Sequence, residues 1–233
     1  MPRFEIHPTV HAIFPDLQVH AVRCSNAGAV VAALDPAALL ERTAAHRAAD
    51  GQDHTATVQA WREAYSRMGA TPSRYQSSIE SLLRRVAKDD SIAIGVPLVD
   101  FYNAHSLRAV AAVGAYDMAR LPPDTMWLRP CDPQRDEFAP LGASPDRYPL
   151  LPRLFVYASG KQILCWGLNH RDSAHTALDA KSDDVVFFSE AAFAEQQSAC
   201  AMAIDGIREA LVQAGGVCSE HLVARVGARA FEL

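Results

Sequence analysis

The feature that most restricts the fold is a change of punctuation midway along the chain. From about Ala37 to about Ala112, apolar residues recur at helical spacing between isolated breakers. From Thr125 to Val186, prolines at 130, 133, 140, 145, 149 and 152 and glycines at 142, 160 and 167 cut the sequence into runs too short for helices. Met126-Trp-Leu-Arg, Leu154-Phe-Val-Tyr-Ala, Gln162-Ile-Leu-Cys-Trp and Asp184-Val-Val-Phe-Phe are rich in β-branched and aromatic residues and read as strands. The pattern predicts an α+β fold, helical in its N-terminal half and strand-rich in its second half, with a closing helix.

Two strands are expected first, Arg3 to Ile6 and Val19 to Cys24. Asp35-Pro36 opens a helix from Ala37 to about Ala49, a cap followed by a first-turn proline. His54 to Met68 is a second helix, closed by Gly69. Ser77 introduces a third, with Ile79, Leu82, Leu83 and Val86 on one side and Arg84, Arg85 and Lys88 on the others. Pro97 opens a helix through Ala112 that Gly114 ends. Ser189 is placed to cap a last helix from Ala191 to Ala214, stopped by Gly215-Gly216.

At 233 residues the chain is expected to form one domain spanning 1–233. A formal net charge of -5 argues against a general nucleic-acid binder, so any RNA contact must be local or shared with a partner. The five cysteines, an odd count without Cys-x-x-Cys spacing, predict neither a zinc site nor a disulfide framework. The N-terminus lacks an apolar signal core, and no window reaches the roughly 18 apolar residues of a membrane span. A soluble cytoplasmic protein without membrane contact is expected.

Two polar islands interrupt apolar sequence. On the Pro97 helix, Val99, Asn103, Ser106 and Val110 share a stripe, and His105 lies on the next one with Leu98, Phe101, Tyr102 and Ala109. Asn103 and Ser106 have structural readings, a cap on a neighbouring strand and a bond back to Tyr102. His105 reads either as a packed core histidine or as a proton carrier. The second island, Asn169-His-Arg-Asp-Ser173, follows a strand and is either a solvated turn or a binding loop, with Asn169 and Ser173 donating hydrogen bonds and Arg171 holding an anion. His170, His175 and Asp172 are conceivable metal ligands, with nothing else pointing to a metal. No Gly-x-Ser-x-Gly elbow, Gly-x-Gly-x-x-Gly turn or Walker-type loop occurs, so no cofactor is expected. Arg62, Arg67, Arg74, Arg84, Arg85 and Lys88, interleaved with Trp61, Tyr65 and Tyr75, are either the wet faces of two helices or an RNA contact.

The order of several segments resembles a known family. Trp61-Arg-Glu-Ala-Tyr-Ser-Arg-Met-Gly, Pro72-Ser-Arg-Tyr-Gln-Ser-Ser-Ile-Glu-Ser-Leu-Leu-Arg-Arg, Leu98-Val-Asp-x-x-Asn-x-x-Ser-Leu and Gly114-x-Tyr-Asp come first. Glu137-Phe-x-Pro-Leu-Gly, Val156-Tyr-Ala and Asn169-x-Arg-Asp-Ser-x-x-Thr follow. Together, over roughly Phe4 to Phe188, they resemble free-standing B3/B4 domain proteins, which are similar to the editing module of the phenylalanyl-tRNA synthetase beta subunit.

The resemblance implies a central mixed sheet with flanking helices and a pocket between two sub-halves. In the synthetase that pocket hydrolyses tyrosine misattached to the phenylalanine tRNA, without metal, by positioning water near the ester. Asn103 matches a pocket asparagine, and Ser173 and Thr176 fall on a Ser/Thr-bearing loop. Gly114 stands where the synthetase has a site-facing histidine. Arg171 stands at about the position of the glutamate that reads the tyrosine hydroxyl, which would favour a ligand carrying a carboxylate or phosphate.

The function expected is trans-editing, hydrolysis of a mischarged aminoacyl-tRNA ester. Asn103, Ser106, Asn169, Arg171, Ser173 and Thr176 would bind substrate, His105 or His170 would carry the proton, and Arg62, Arg67, Arg74, Arg84 and Arg85 would touch tRNA. The alternatives are a non-catalytic module for an aminoacyl-tRNA, amino acid or related metabolite, and an enzyme acting on another small molecule.

Overall fold

The computed structural model describes residues 3–88 and 91–233. Two sheets share the chain. The larger has the order β10-β1-β4-β5-β6-β7, built from β1 (Arg3–Ile6), β4 (Met126–Pro130), β5 (Phe155–Ser159), β6 (Gln162–Trp166), β7 (Arg171–Asp172) and β10 (Ala230–Glu232). The smaller has the order β3-β8-β2-β9, from β2 (Gln18–Cys24), β3 (Gly114–Asp117), β8 (Val185–Ala191) and β9 (Leu222–Ala224). Neighbours run antiparallel except β1 and β4, where Phe4 pairs with Met126 in parallel.

The sheets face each other across an aromatic core. Phe4 of the larger sheet lies 5.3 Å from Phe188 of the smaller, ring centroid to centroid, and Tyr157 lies 5.7 Å from Phe188. A second apolar layer covers the back of the smaller sheet with α2 (Ala27–Ala32), α6 (Pro97–Ala109) and α7 (Gln197–Gln213). Period-two alternation along β8 supplies both layers: Val186 and Phe188 enter the inter-sheet core, Val185 and Phe187 the helical one. The remaining helices are α1 (Pro8–Ile13), α3 (Pro36–Ala49), α4 (Thr55–Arg67) and α5 (Ser78–Ala87). The α+β class follows the expectation.

The caps largely follow the sequence. Asp35 accepts from the Ala38 N–H (3.3 Å) and Pro36 starts α3, while Ser77 accepts from the Glu80 N–H (3.2 Å) and starts α5. Helix α6 is buried on nearly every side, which is why its sequence shows no clean wet face. Arg47 from α3 donates to the Leu107 carbonyl (2.9 and 3.1 Å) and the Arg108 carbonyl (2.9 Å), satisfying the end of α6.

Two helix boundaries differ from the expectation. Helix α6 ends at Ala109 rather than Ala112, because Val110 turns left-handed (φ 56°) and the Ala111 N–H returns to the Ser106 carbonyl (3.1 Å). Gly114 is then the first residue of β3. The last helix begins at Gln197, not Ala191, because Val185–Ala191 is paired along its whole length with β2. Ser189 donates to the Ala112 carbonyl (2.7 Å), and a 3-10 turn, Ala194–Gln196, leads into the helix, with the Gln196 side chain accepting from the Ala192 and Phe193 N–H groups (2.9 and 3.1 Å). Helices α1 and α2 and strands β9 and β10 have no counterpart in the sequence reading.

Candidate functional site

A cavity of about 90 Å³, room for a few waters or a short side chain, opens between the sheets. The larger sheet contributes Tyr157, Cys165 and Asp172, and the smaller contributes Gly114, Tyr116, Phe188 and Glu190. Tyr102 and Asn103 reach in from α6, Ser78 from the first turn of α5, and Asn169 and His170 from the turn after β6.

Glu190 organises the polar side. It continues the β8 face that carries Val186 and Phe188, so alternation alone aims it between the sheets. Its carboxylate accepts from the Tyr157 hydroxyl (3.0 Å) and the Asn169 amide (2.6 Å). The Tyr65 hydroxyl donates in turn to the Gly167 carbonyl (2.8 Å) and the Asn169 Oδ1 (3.1 Å). Burial pushes the Glu190 carboxyl up to about 7; the Asn169 and Tyr157 bonds pull it down, and nearby Asp172 adds to the rise. A carboxyl poised there exchanges a proton near neutrality.

Asn169 owes its position to a strained turn. Gly167 and Leu168 are both left-handed (φ 65° and 63°), a conformation glycine takes freely and leucine rarely does. A Cβ on Gly167 would lie 3.2 Å from the Tyr65 ring, tight enough to push the ring aside by a few tenths of an ångström, and the left-handed backbone also favours glycine there.

Asp172 is the second acid. It pairs across the ladder with Cys165, and opposite residues share a face, so both enter the cavity. Burial raises both the Asp172 carboxyl and the Cys165 thiol. Neither lysine nor arginine is among the residues around the cavity.

Of the residues expected to bind substrate, Asn103 and Asn169 are brought together here, with His170 beside them. The His170 Nδ1 is 2.7 Å from the Gln76 carbonyl, and its ring is wedged among Tyr75, Tyr148 and Trp166 (5.4, 5.8 and 5.5 Å). Burial lowers its pKa.

Arg171 lies elsewhere. It sits opposite Trp166, one residue out of phase with Asp172, so the alternation that turns the acid in turns the guanidinium away. It lies over the Tyr148 ring, 5.9 Å from the centroid, and its Nε has no partner among the described residues. The expected arginine in the pocket is thus replaced by its neighbour of opposite charge. Ser106 donates to the Ala111 carbonyl (2.5 Å), accounting for its burial by helix termination rather than by the expected bond to Tyr102. Ser173 accepts from the His175 N–H (3.2 Å), and Thr176 is buried with its hydroxyl unpaired among the described residues. Neither lines the cavity.

His105 projects from α6 on the opposite side, away from Asn103, into a surface groove beside α7. Its ring lies 4.8 Å from Phe101, and burial lowers its pKa to about 4. No cluster of three or more His, Cys, Asp or Glu suited to a metal occurs among the described residues, so His170, His175 and Asp172 do not converge.

The basic residues divide. Arg62 and Arg84 border one groove of about 620 Å³ together with Arg47 and His54. Arg62 is also bonded to buried Glu80 (2.6 Å). Arg67 pairs with Glu63 and lies 4.8 Å from the Phe193 ring centroid; Arg74 lies over Tyr75 (5.3 Å), and Arg85 donates to the Ser91 carbonyl.

Glu190 and Tyr157 are the site residues the sequence reading missed; Asp172 and Tyr65 entered it in other roles, as a metal ligand and as an aromatic of the basic stretch. Extending the β8 alternation two residues past Phe188 would have placed Glu190 on an inner face. For Asp172 the signal was the phase of one short strand, which polar sequence does not display.

An acid-lined cavity thus lies between the two sheets, bordered by the first turn of α5 and by the second turn of α6. Residues 60–205 match the B3/4 domain family. The chain therefore belongs to the B3/4 domain family, in line with its resemblance to the synthetase editing module. No curated protein matches the chain significantly. No helix among the described residues is long and apolar enough to cross a membrane.

Proposed function

We propose that the chain, acting as one unit over 1–233, is a trans-editing factor that hydrolyses the ester of a mischarged aminoacyl-tRNA. The observation that carries this reading is Glu190, a buried carboxyl held near neutrality beside a cavity of about 90 Å³. Its carboxylate would take a proton from the attacking water as the C–O bond to the ribose breaks, and would return it to the leaving hydroxyl. Asn103 would orient the ester, and Asn169 and Tyr157 keep the carboxylate in place. An aminoacyl ester carries an α-ammonium group, which suits a lining that has two acids, no lysine or arginine, and a histidine whose pKa is lowered by burial. This replaces the anionic ligand that Arg171 first suggested.

The cavity has space for a short side chain alone, so the ester, the ribose and the acceptor end would lie at its mouth or outside it. Arg62 and Arg84, on their shared groove, are the best placed of the basic residues for the phosphates. Family membership supports a connection with tRNA synthetase modules, and a cytoplasmic location accords with such a substrate.

A panel of mischarged tRNAs incubated with the wild-type protein and with Glu190→Gln tests the proposal. Deacylation of at least one species, lost in the variant, is expected. No release of any amino acid at micromolar protein would overturn it. One observation favours a binding module instead: Gly114 brings no imidazole to the cavity wall. Thermal stabilisation by a ligand without turnover would establish that reading.

A further inference from the structure

Cys24 closes β2, and Cys218 lies in the segment between α7 and β9; the two are partners in an isolated antiparallel bridge. The flanking hydrogen bonds fix the kind of pair. The Ser25 N–H donates to the Val217 carbonyl (3.0 Å), and the Ser219 N–H donates to the Arg23 carbonyl (2.8 Å). The cysteines themselves exchange no backbone bond, so they occupy the narrow, non-hydrogen-bonded site of the ladder, where opposite Cα atoms are about 4.5 Å apart. A disulfide requires a Cα separation of about 4.4–6.8 Å. Opposite side chains share a face, and both cysteines pack into the apolar layer between the smaller sheet and α7. The Cys24 thiol donates to the Asn26 Oδ1 (3.5 Å), and Cys218 lies opposite it across the bridge. A Cβ on Gly216 would stand 3.1 Å from the Cys24 sulfur, so the turn after α7 closes directly over it. Cys165, by contrast, faces Tyr157 and Asp172 across its ladders.

We propose that Cys24 and Cys218 are a disulfide-forming pair, oxidised by hydroperoxides, that staples the segment after α7 onto β2. Cys218 is half-buried and Cys24 fully buried, so the peroxide meets Cys218 first. Its thiolate attacks one peroxide oxygen; the O–O bond breaks, an S–O bond forms, and the departing hydroxide is protonated to water. The Cys24 sulfur then attacks the sulfenic sulfur. The S–S bond forms, the S–O bond breaks, and the hydroxide leaves as water with the Cys24 proton. Two thiols and one peroxide thus give one disulfide and two waters, or one alcohol and one water from an organic hydroperoxide. Burial and the adjacent Cys24 push the Cys218 thiol up to about 12. Little thiolate is present at neutral pH, so the pair oxidises slowly there and faster as pH rises.

The cross-link closes most of the chain into one loop and fixes β9, whose pairing to β2 begins four residues past Cys218 at Leu222 with Ala21. The test treats the reduced full chain with hydrogen peroxide at mildly alkaline pH, traps free thiols by alkylation and maps the peptides by mass spectrometry, with Cys218→Ser alongside. Loss of two of the five thiols, a peptide joining residues 24 and 218, recovery with dithiothreitol and a Tm higher by roughly 5 °C or more are expected. Cys218→Ser should keep its remaining thiols. The proposal falls if Cys218 proceeds to a sulfinic acid while Cys24 stays alkylatable. It falls equally if all five thiols survive conditions that oxidise a linear dithiol peptide, or if the cross-link forms without raising Tm. Should Cys218→Ser fold poorly, the wild-type peptide map decides alone.

Discussion

Glu190 and His105 lie on opposite sides of the smaller sheet, and burial has treated them differently. Glu190 has two donors, Tyr157 and Asn169, and a cavity in front of it, and its pKa rises to about 7. His105 packs on Phe101 and against Gly206, where a Cβ would come within 3.1 Å of its Nδ1. Its Nε2 has no partner among the described residues, and its pKa falls to about 4. Burial alone removes charge; hydrogen-bond partners decide whether a buried group is merely neutral or ready to exchange a proton.

The largest expected effect separates them directly. Glu190→Gln keeps the shape and both hydrogen-bonded neighbours but cannot take a proton, so single-turnover deacylation should fall by about 10²–10⁴-fold. His105→Leu should leave that rate intact. A comparable loss in both variants would erase the contrast.

The next effect is on stability. Above about pH 6.5, His105 is neutral in both folded and unfolded chains. Between there and about pH 4 the unfolded chain takes up a proton that the folded one refuses, so stability falls by up to about 3 kcal/mol. His105→Leu should lose less stability than wild type between neutral and acidic urea titrations. Equal losses would mean that the ring is not desolvated as described.

Tyr157→Phe sharpens the account of Glu190. Loss of this donor to the carboxylate should raise the Glu190 pKa further above its ordinary value. The base form is then lost at higher pH, and the acidic limb of the kcat/KM profile should move up by roughly one unit. A limb that stays in place would assign it to another group. Gly114→Ala meets no atom within 4 Å at the new Cβ, so the fold should tolerate it, while the narrower cavity reduces kcat/KM by roughly 3–10-fold. Smallest of all, Arg171→Ala should change deacylation by no more than about twofold and cost roughly 0.5–1 kcal/mol, the worth of its contact with Tyr148. A large kinetic loss would return Arg171 to the site.

Much of this fold could be read from the chain, because its punctuation is local. Asp35-Pro36 and Ser77 cap helices where expected, and most of the proline- and glycine-bounded runs became strands. The site was legible only in part. Asn103 and Asn169 stood out as polar residues in apolar surroundings, and they meet. His105 stood out for the same reason and faces the other way, since a helix buried on all sides gives no sequence sign of which side holds a cavity. Glu190 was hidden by the assumption that Ser189 began a helix. Arg171 and Asp172 exchanged roles because a strand of two residues sets its phase through its neighbour β6, which tertiary structure alone reveals.

The pairing of β9 with β2 and of β10 with β1 has a bearing on how the chain comes to be folded. Phe4 meets Phe231, and Ala21 meets Leu222. Residues of β1 and β2 thus wait for residues made much later, those of β9 and β10, before these edges are covered. A nascent chain still lacking Leu222–Glu232 would expose the open edges of β1 and β2 to other chains, the situation in which strands pair wrongly. Contacts so distant in sequence also make for slow closure. The short C-terminal strands therefore set the moment at which the protein becomes safe from its own unpaired edges.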